Sequence, residues 1–241
     1  MTFALARFPA GGPLVLPESG SNNWPLRGSK YSEFEGGIRA AAFVSGGWLP
    51  EAVRGTTNNE IMHVSDWYTT FSRMVGVDPS DPWAKASGLP PVDGLDLTSL
   101  ITTPGAKSPH TGGLPVTTLS YVKGDYKLIV TPKADFASWG GPRFPNASSS
   151  KSPVEGVSIR CGDGCLFDVV NDPTEQTDLA SSMPAKVSEL MGEYEEAKKS
   201  FFSNEDTGVN SCPAGIDMPC ACWMASHKYD GFIGPYQEVS V

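Results

Sequence analysis

Asn22-Asn23-Trp24-Pro25-Leu26-Arg27-Gly28-Ser29-Lys30, followed by Glu35-Gly36-Gly37-Ile38-Arg39, is the densest unusual stretch of the chain. Pro25, Gly28, Gly36 and Gly37 punctuate the backbone and make it a loop. Arg27, Lys30 and Arg39 place three cations within 13 residues just ahead of an apolar run. Such a cluster on a loop suits sulfate, phosphate or carboxylate. The plainer alternative is a solvated surface, with Glu35 and Arg39 paired at helical or turn spacing.

Working outward, residues 1–20 carry Pro and Gly without periodicity and read as an irregular lead-in. Ala40 to Val44 is a short apolar run ending at Ser45-Gly46-Gly47, as expected of a buried strand in a sheet covered on both faces. Ile61, Val64, Tyr68, Phe71 and Val75 recur at steps of three and four and predict a helix with one apolar face, stopped by Gly76. Residues 78–118 form a long Pro-, Gly-, Ser- and Thr-rich excursion around Asp96 to Ile101. Tyr121-Val122 and Tyr126 to Val130 flank Lys123-Gly124-Asp125 and predict a hairpin with a bulged or three-residue turn. Cys165 to Val170 is a further strand. Beyond Pro184, Val187, Leu190, Met191, Tyr194, Ala197 and Phe201 predict a helix lying across a small antiparallel sheet. The division expected is 1–20, 21–118 and 119–241, with α/β character in the second part and α+β in the third.

Composition narrows the function. With 26 Gly and 21 Pro in 241 residues the protein is rich in loops. A balance of 18 Lys+Arg against 27 Asp+Glu gives a net charge of -9, which repels nucleic acid and requires any anionic substrate to be held by local cations. No run approaches the roughly 20 apolar residues of a membrane span, and Arg7 and Pro9 interrupt Met1 to Leu16 before a signal-peptide core forms. Cys161, Cys165, Cys212, Cys220 and Cys222 suit an oxidising compartment, with one left unpaired. Cys161, Cys165, Cys220, Cys222 and His227 match zinc-finger spacing poorly, so disulfides are favoured over a metal. Asn146-Ala147-Ser148 is a glycosylation sequon in a Pro/Ser-rich loop. His63 is a general acid or metal ligand in one reading and a capping or packed residue in the favoured one. Trp48, Trp67 and Trp83 could stack on sugars, although packing is the commoner use of such residues.

The segment 22–39 resembles N-N-W-P-L-R-G-x-K and E-G-G-[IV]-R of sulfatases of the arylsulfatase B (N-acetylgalactosamine-4-sulfatase) type. Echoes follow in order at His63-Val64-Ser65-Asp66-Trp67-Tyr68-Thr69-Thr70 with Gly76, Asp93-Gly94-Leu95-Asp96, Gly124-Asp125-Tyr126-Lys127-Leu128, Leu166-Phe167-Asp168, Asp172-Pro173-Thr174-Glu175 and Asp178-Leu179-Ala180. Gly231-Phe232-Ile233-Gly234-Pro235-Tyr236 is similar to the family's ending. The resemblance implies the end of an alkaline-phosphatase-like α/β domain over 21–118, then a small antiparallel sheet with a C-terminal helix. It implies hydrolysis of a sulfate ester or sulfated glycan by a formylglycine hydrate, with calcium and several cations holding the sulfate oxygens. A secreted or lysosome-like location goes with it. Lys30 matches the family's sulfate-binding lysine, and Arg27 and Arg39 become candidate substrate-binding residues.

Two departures qualify that expectation. None of the five cysteines has an Arg four residues later, so the formylglycine precursor motif C-x-[PA]-x-R is absent, and residues 1–20 contain no Asp to supply the calcium ligands found just upstream in the family. The chain is therefore expected to lack an N-terminal half and to be inactive by itself, because nucleophile and metal act as one unit. The alternatives are a non-catalytic module that binds sulfated glycans, and one half of a split sulfatase completed by a separate chain.

Overall fold

The computed structural model describes residues 11–14, 21–143, 153–201, 208–210, 212–213, 215–232 and 237–239. The chain forms two compact units, Met1–Ala197 and Lys198–Val241, and the expected boundary at 118/119 falls inside the first.

The first unit is organised by a four-stranded antiparallel meander, β1 (Leu114–Thr117), β2 (Ser120–Lys123), β3 (Tyr126–Asp135) and β4 (Ser158–Asp168), in that spatial order. The β2–β3 turn is tighter than expected. Lys123 pairs with Tyr126, which leaves a two-residue loop, and Gly124 takes a φ of 57° at its first position, as a type II′ turn requires. Strand β4 begins at Ser158, seven residues before the run that signals it in the sequence. Its pairing with β3 passes from Ile129–Cys165 to Thr131–Cys161, so four steps on β4 oppose two on β3. The Cys161–Cys165 disulfide, with Cα atoms 4.9 Å apart, closes that bulge. Gly164, at φ 94°, lies in it against Val187 and Met191 of α5 (Pro184–Lys198), where an added Cβ would come within 3.1 Å of Val187. Helix α5 therefore packs on the sheet as its apolar spacing predicts, with Leu190 and Tyr194 buried and the Tyr194 hydroxyl donating to Thr118 O. Lys123 on β2 pairs with Glu189 and Glu193 across this contact.

Ahead of the sheet lie short helices in long loops: α1 (Glu35–Ile38), α2 (Asp66–Met74), α3 (Pro82–Ala86) and α4 (Thr98–Thr102). Two sequence expectations fail here. Ala40 to Val44 forms no strand with any described residue, and Ala41, Ala42 and Phe43 are exposed, because an apolar run becomes a strand only where a neighbour satisfies its N–H and C=O groups. Helix α2 starts at Asp66, after the predicted beginning, and buries Asp66, Trp67, Thr69 and Thr70. Its apolar stripe faces outward. Hydrogen bonding explains the choice of face: Leu95 N donates to Asp66 Oδ1, Thr69 Oγ1 to Gly94 O and Leu97 N to Thr70 Oγ1. These polar side chains satisfy the main chain of the 94–97 segment, and a Cβ at Gly94 would lie 2.1 Å from Ser65 O.

In the second unit β5 (Gly208–Asn210) pairs antiparallel with β6 (Gln237–Val239), and α6 (Cys220–Lys228) buries Met224 and Ala225. Cys212 bridges Cys220, and Cys222 is an exposed thiol. The cysteines thus form two disulfides and one free thiol. Trp223 stacks on His227 with ring centroids 4.4 Å apart.

Candidate anion-binding loop

The 22–39 loop is stitched to the sheet from below. Asn23 exchanges hydrogen bonds with Gly12, its Oδ1 accepting from Gly12 N and its Nδ2 donating to Gly12 O, each at 2.9 Å. Gly28 N donates to Ser138 O, and Arg27 bridges Trp139 in an isolated antiparallel pair. Gly36 and Gly37 are required by close approach: a Cβ on Gly36 would fall 2.5 Å from Arg27 O, and one on Gly37 2.2 Å from Ser32 O. Phe34, fully buried, packs with Ile129, Ala134, Ala137, Cys161, Cys165 and Phe167 and so anchors the loop in the sheet's core.

Arg27 is part of that anchor. It is buried, its Nε and Nη2 donate to Ala137 O and its Nη1 donates to Glu175 O at 2.9 Å, while the guanidinium lies over Phe34, Trp139 and Phe167. Burial pulls its pKa below the usual arginine value, against the pull of Glu175, Asp178 and Asp172. The structure places Arg27, a candidate for substrate binding, inside the core with its guanidinium engaged by main-chain carbonyls. Arg39 is half exposed and lies 3.7 Å from Glu35 Oε2, the helical pairing weighed as the plainer reading. Lys30 is exposed, its Nζ 5.5 Å from the centre of the Tyr31 ring. The three cations therefore do not converge: one is in the core, one pairs with Glu35, and one points to solvent from a braced loop.

Beneath the loop sits a charge set that sequence reasoning missed. Lys127 of β3 is completely buried, with Nζ 2.8 Å from Glu35 Oε1 and 2.6 Å from Glu175 Oε1. Glu35 N donates to Glu175 Oε2 at 2.6 Å. Glu175 adopts a φ of 55°, costly for a residue with a Cβ, which lets its carbonyl meet Arg27 while its carboxylate meets Lys127 and the start of α1. Burial raises the Glu175 pKa, as does the Glu35 charge, and the Lys127 ammonium opposes both. The signal was present as Gly124-Asp125-Tyr126-Lys127-Leu128 and Asp172-Pro173-Thr174-Glu175, but nothing in either motif says that the two meet.

The remaining candidates fall elsewhere. Asp66, fully buried at the start of α2, accepts from His63 N at 2.7 Å and lies 2.8 Å from His110 Nε2. His63 Nδ1 lies 2.8 Å from Ser65 Oγ, which fits the packed, capping reading, and burial lowers its pKa. Trp67 is buried, whereas Trp83 is exposed. Asn146 lies outside the described residues. Among the described residues no group of three or more His, Cys, Asp or Glu could hold a metal ion.

No protein-family profile matches the chain. It is 30% identical over 199 residues to arylsulfatase J of Mus musculus, a match that takes in 76% of this chain and 33% of that protein. The chain thus spans about a third of the length of the relative it matches. Among solved structures it resembles the PsFucS1 sulfatase of Pseudoalteromonas sp., at a TM-score of 0.51 and 22% identity, covering 73% of this chain and 32% of that one. A chain described with glycosaminoglycan metabolism in Bacteroides thetaiotaomicron aligns at a TM-score of 0.49 and 21% identity over 72% of this chain and 32% of its own. In sequence this chain resembles the C-terminal part of a sulfatase, and in fold it is similar to part of one.

Proposed function

We propose that this chain supplies the C-terminal part of a sulfuric ester hydrolase of the arylsulfatase B type, and that Lys30 meets the sulfuryl oxygens of its substrate. The observation that carries the reading is a contrast within one loop. Arg27, Phe34 and Glu35 are sunk into the core, while Lys30 presents its ammonium outward from the same braced backbone. A cation carried on a braced backbone meets negative charge as it grows on the sulfate, and such a group is worth about 3 kcal/mol where the assembled site excludes water. Arg39, paired with Glu35, flanks it in sequence.

Calcium and a formylglycine are implied by the family, and the residues described here do not fit either: they offer no metal cluster and no C-x-[PA]-x-R segment. The substrate class is a sulfate ester, including sulfated sugars. The 241-residue chain by itself is expected to leave nitrocatechol sulfate at the spontaneous rate, and measurable turnover by the purified chain would overturn this reading. In a protein that joins this segment to a catalytic nucleophile, Lys30→Ala should lower kcat about 100-fold or more. The exposure of Lys30 also favours a second reading, a sulfated-glycan-binding module, for which salt-sensitive binding of a sulfated over a desulfated sugar by the chain alone is the test.

A further inference from the structure

Ser29 to Ser32 is a tight turn in which Ser32 N donates to Ser29 O at 3.0 Å, and Lys30 and Tyr31 are its two central residues. The ends of the turn are sunk in the protein. Ser29 and Ser32 are buried, and Ser32 Oγ donates to Ser29 O at 2.8 Å and accepts from Ser29 N. Both lie against Gly37, where an added Cβ would fall 2.5 Å from Ser29 O. The tip is bare: Lys30 is exposed and Tyr31 is 71% exposed. Tyr31 takes a φ of 75°, whereas Lys30 does not enter the left-handed region, which is the pattern of a type II turn with its preference for glycine or asparagine at the second central position. A Cβ makes that conformation costly, and an exposed ring recovers little of the cost by burial. Among the described residues the one ring contact of Tyr31 is with Lys30 Nζ, 5.5 Å from the ring centre, a weak attraction at an exposed site. A backbone outlier held by its buried neighbours, and carrying a large side chain that the fold does not use, points to work done outside the fold.

We infer that Tyr31 is a ring-stacking residue that selects the substrate: it takes the face of a six-membered ring, aryl or sugar, whose sulfate ester the Lys30 ammonium meets. The inference rests on the role proposed for Lys30 above and adds what a lone cation lacks, a preference for a ring over a bare sulfate. The reach is suitable. An offset-stacked ring lies about 4.5–7 Å centre to centre from the tyrosine, and the ammonium is 5.5 Å from that same centre, so an ester oxygen on the ligand ring comes within range of it. Because the ammonium's hold on the ring is weak and its four-carbon stem turns freely, a sulfate draws it off the tyrosine face without leaving the site. Glu33, the nearest acid in sequence, is turned to β1, where Thr117 Oγ1 donates to its carboxylate, so it does not oppose an anion at the tip. A protein partner is the poorer occupant, since a stable interface needs about 800 Å² per side, far more than the tip of a two-residue turn presents.

The test is a chemical-shift titration of the full 241-residue chain, read at the backbone amides of residues 29–33, with phenyl sulfate, galactose 6-sulfate and methyl sulfate. The three carry the same charge, and methyl sulfate has no ring. The wild-type chain should bind at least one of the ring esters about three- to tenfold more tightly than methyl sulfate, the range expected of one stacked ring. Tyr31→Gly should bring that preference to parity while leaving the affinity for methyl sulfate unchanged, and Tyr31→Phe should keep it. Glycine takes a φ of 75° freely, so Tyr31→Gly should melt no lower than wild type. Tyr31→Asn, which also tolerates the left-handed region, provides a second ring-free variant and should match it. Equal binding of ring and ring-free esters by the wild type, no binding of any of them, or a ring preference that survives both Tyr31→Gly and Tyr31→Asn overturns the inference. Lys30→Met reports on the underlying reading separately and should weaken all three ligands alike. If it weakens none while Tyr31→Gly still removes the ring preference, the tyrosine subsite stands and the role proposed for Lys30 falls.

Discussion

Replacing Lys127 by Met tests whether the buried charge set holds the 22–39 loop. Methionine keeps most of the apolar stem inside β3 and deletes only the ammonium, which lies 2.8 Å from Glu35 and 2.6 Å from Glu175 with no solvent exposure. Two carboxylates are then left facing each other, one of them fully buried. Removing one partner of a buried ion pair costs about 3–5 kcal/mol. At about 2–4 °C per kcal/mol for a unit of this size, the melting temperature should fall by roughly 6–20 °C. The loss should also depend on pH, with a definite sign. The Glu175 pKa is raised, first by burial and further by Glu35, so the folded state holds that proton more tightly than the unfolded chain. Its contribution favours folding at low pH and is lost as pH rises through the folded pKa. Without Lys127 that pKa climbs further, so the variant should lose more stability at pH 8 than at pH 5, and Lys127→Met/Glu175→Gln should recover much of the loss at pH 8. Urea unfolding followed by circular dichroism at both pH values measures all three. A cost below about 1 kcal/mol, or one equal at the two pH values, would refute the reasoning.

Arg27→Lys keeps the charge but loses the paired donation to Ala137 O and the planar stacking over Phe34 and Trp139, and should cost about 2–3 kcal/mol in the same unfolding assay. Removing the Cys161–Cys165 bridge as a double serine variant should cost about 2 kcal/mol, the chain-entropy value for so short a loop, read as a lower urea midpoint under non-reducing conditions. The His63 pKa is lowered by burial, so the neutral ring stabilises the fold above the unfolded value near 6.5 and that stability is lost as pH falls through the folded pKa. His63→Gln should accordingly flatten the decline in melting temperature below about pH 6.5, and an unchanged acid limb would show that His63 does not contribute.

The parts of the fold readable from sequence are those where one physical signal dominates. Pro184 at a helix start followed by Leu190 and Tyr194 at a spacing of four identifies α5, and Gly124 marks the β2–β3 turn. Helix α2 shows the limit of periodicity. Its apolar residues line up as a core face, yet Asp66, Thr69 and Thr70 satisfy the 94–97 backbone and win the inward side, a choice that depends on a segment some 25 residues away. The candidate site divides in the same way. Three nearby cations in sequence suggested one anion pocket, but charge alone does not say which side chain a Trp, two Phe rings and two carbonyls will claim. Lys127 and Glu175 stand 92 and 140 residues from Glu35, and their meeting is fixed only by the sheet.

That meeting has a consequence for how such a protein can be divided and inherited. Residues 27 and 35 come from the early loops, 127 from the middle of the meander and 175 from the turn after it. The meander is thus no interchangeable appendage to the layer before it. Recombination at 118/119 that brought in a sheet lacking the lysine or the glutamate would strand charges in the interior and release the loop that carries Lys30. The loop and its distant props must pass between lineages as one piece.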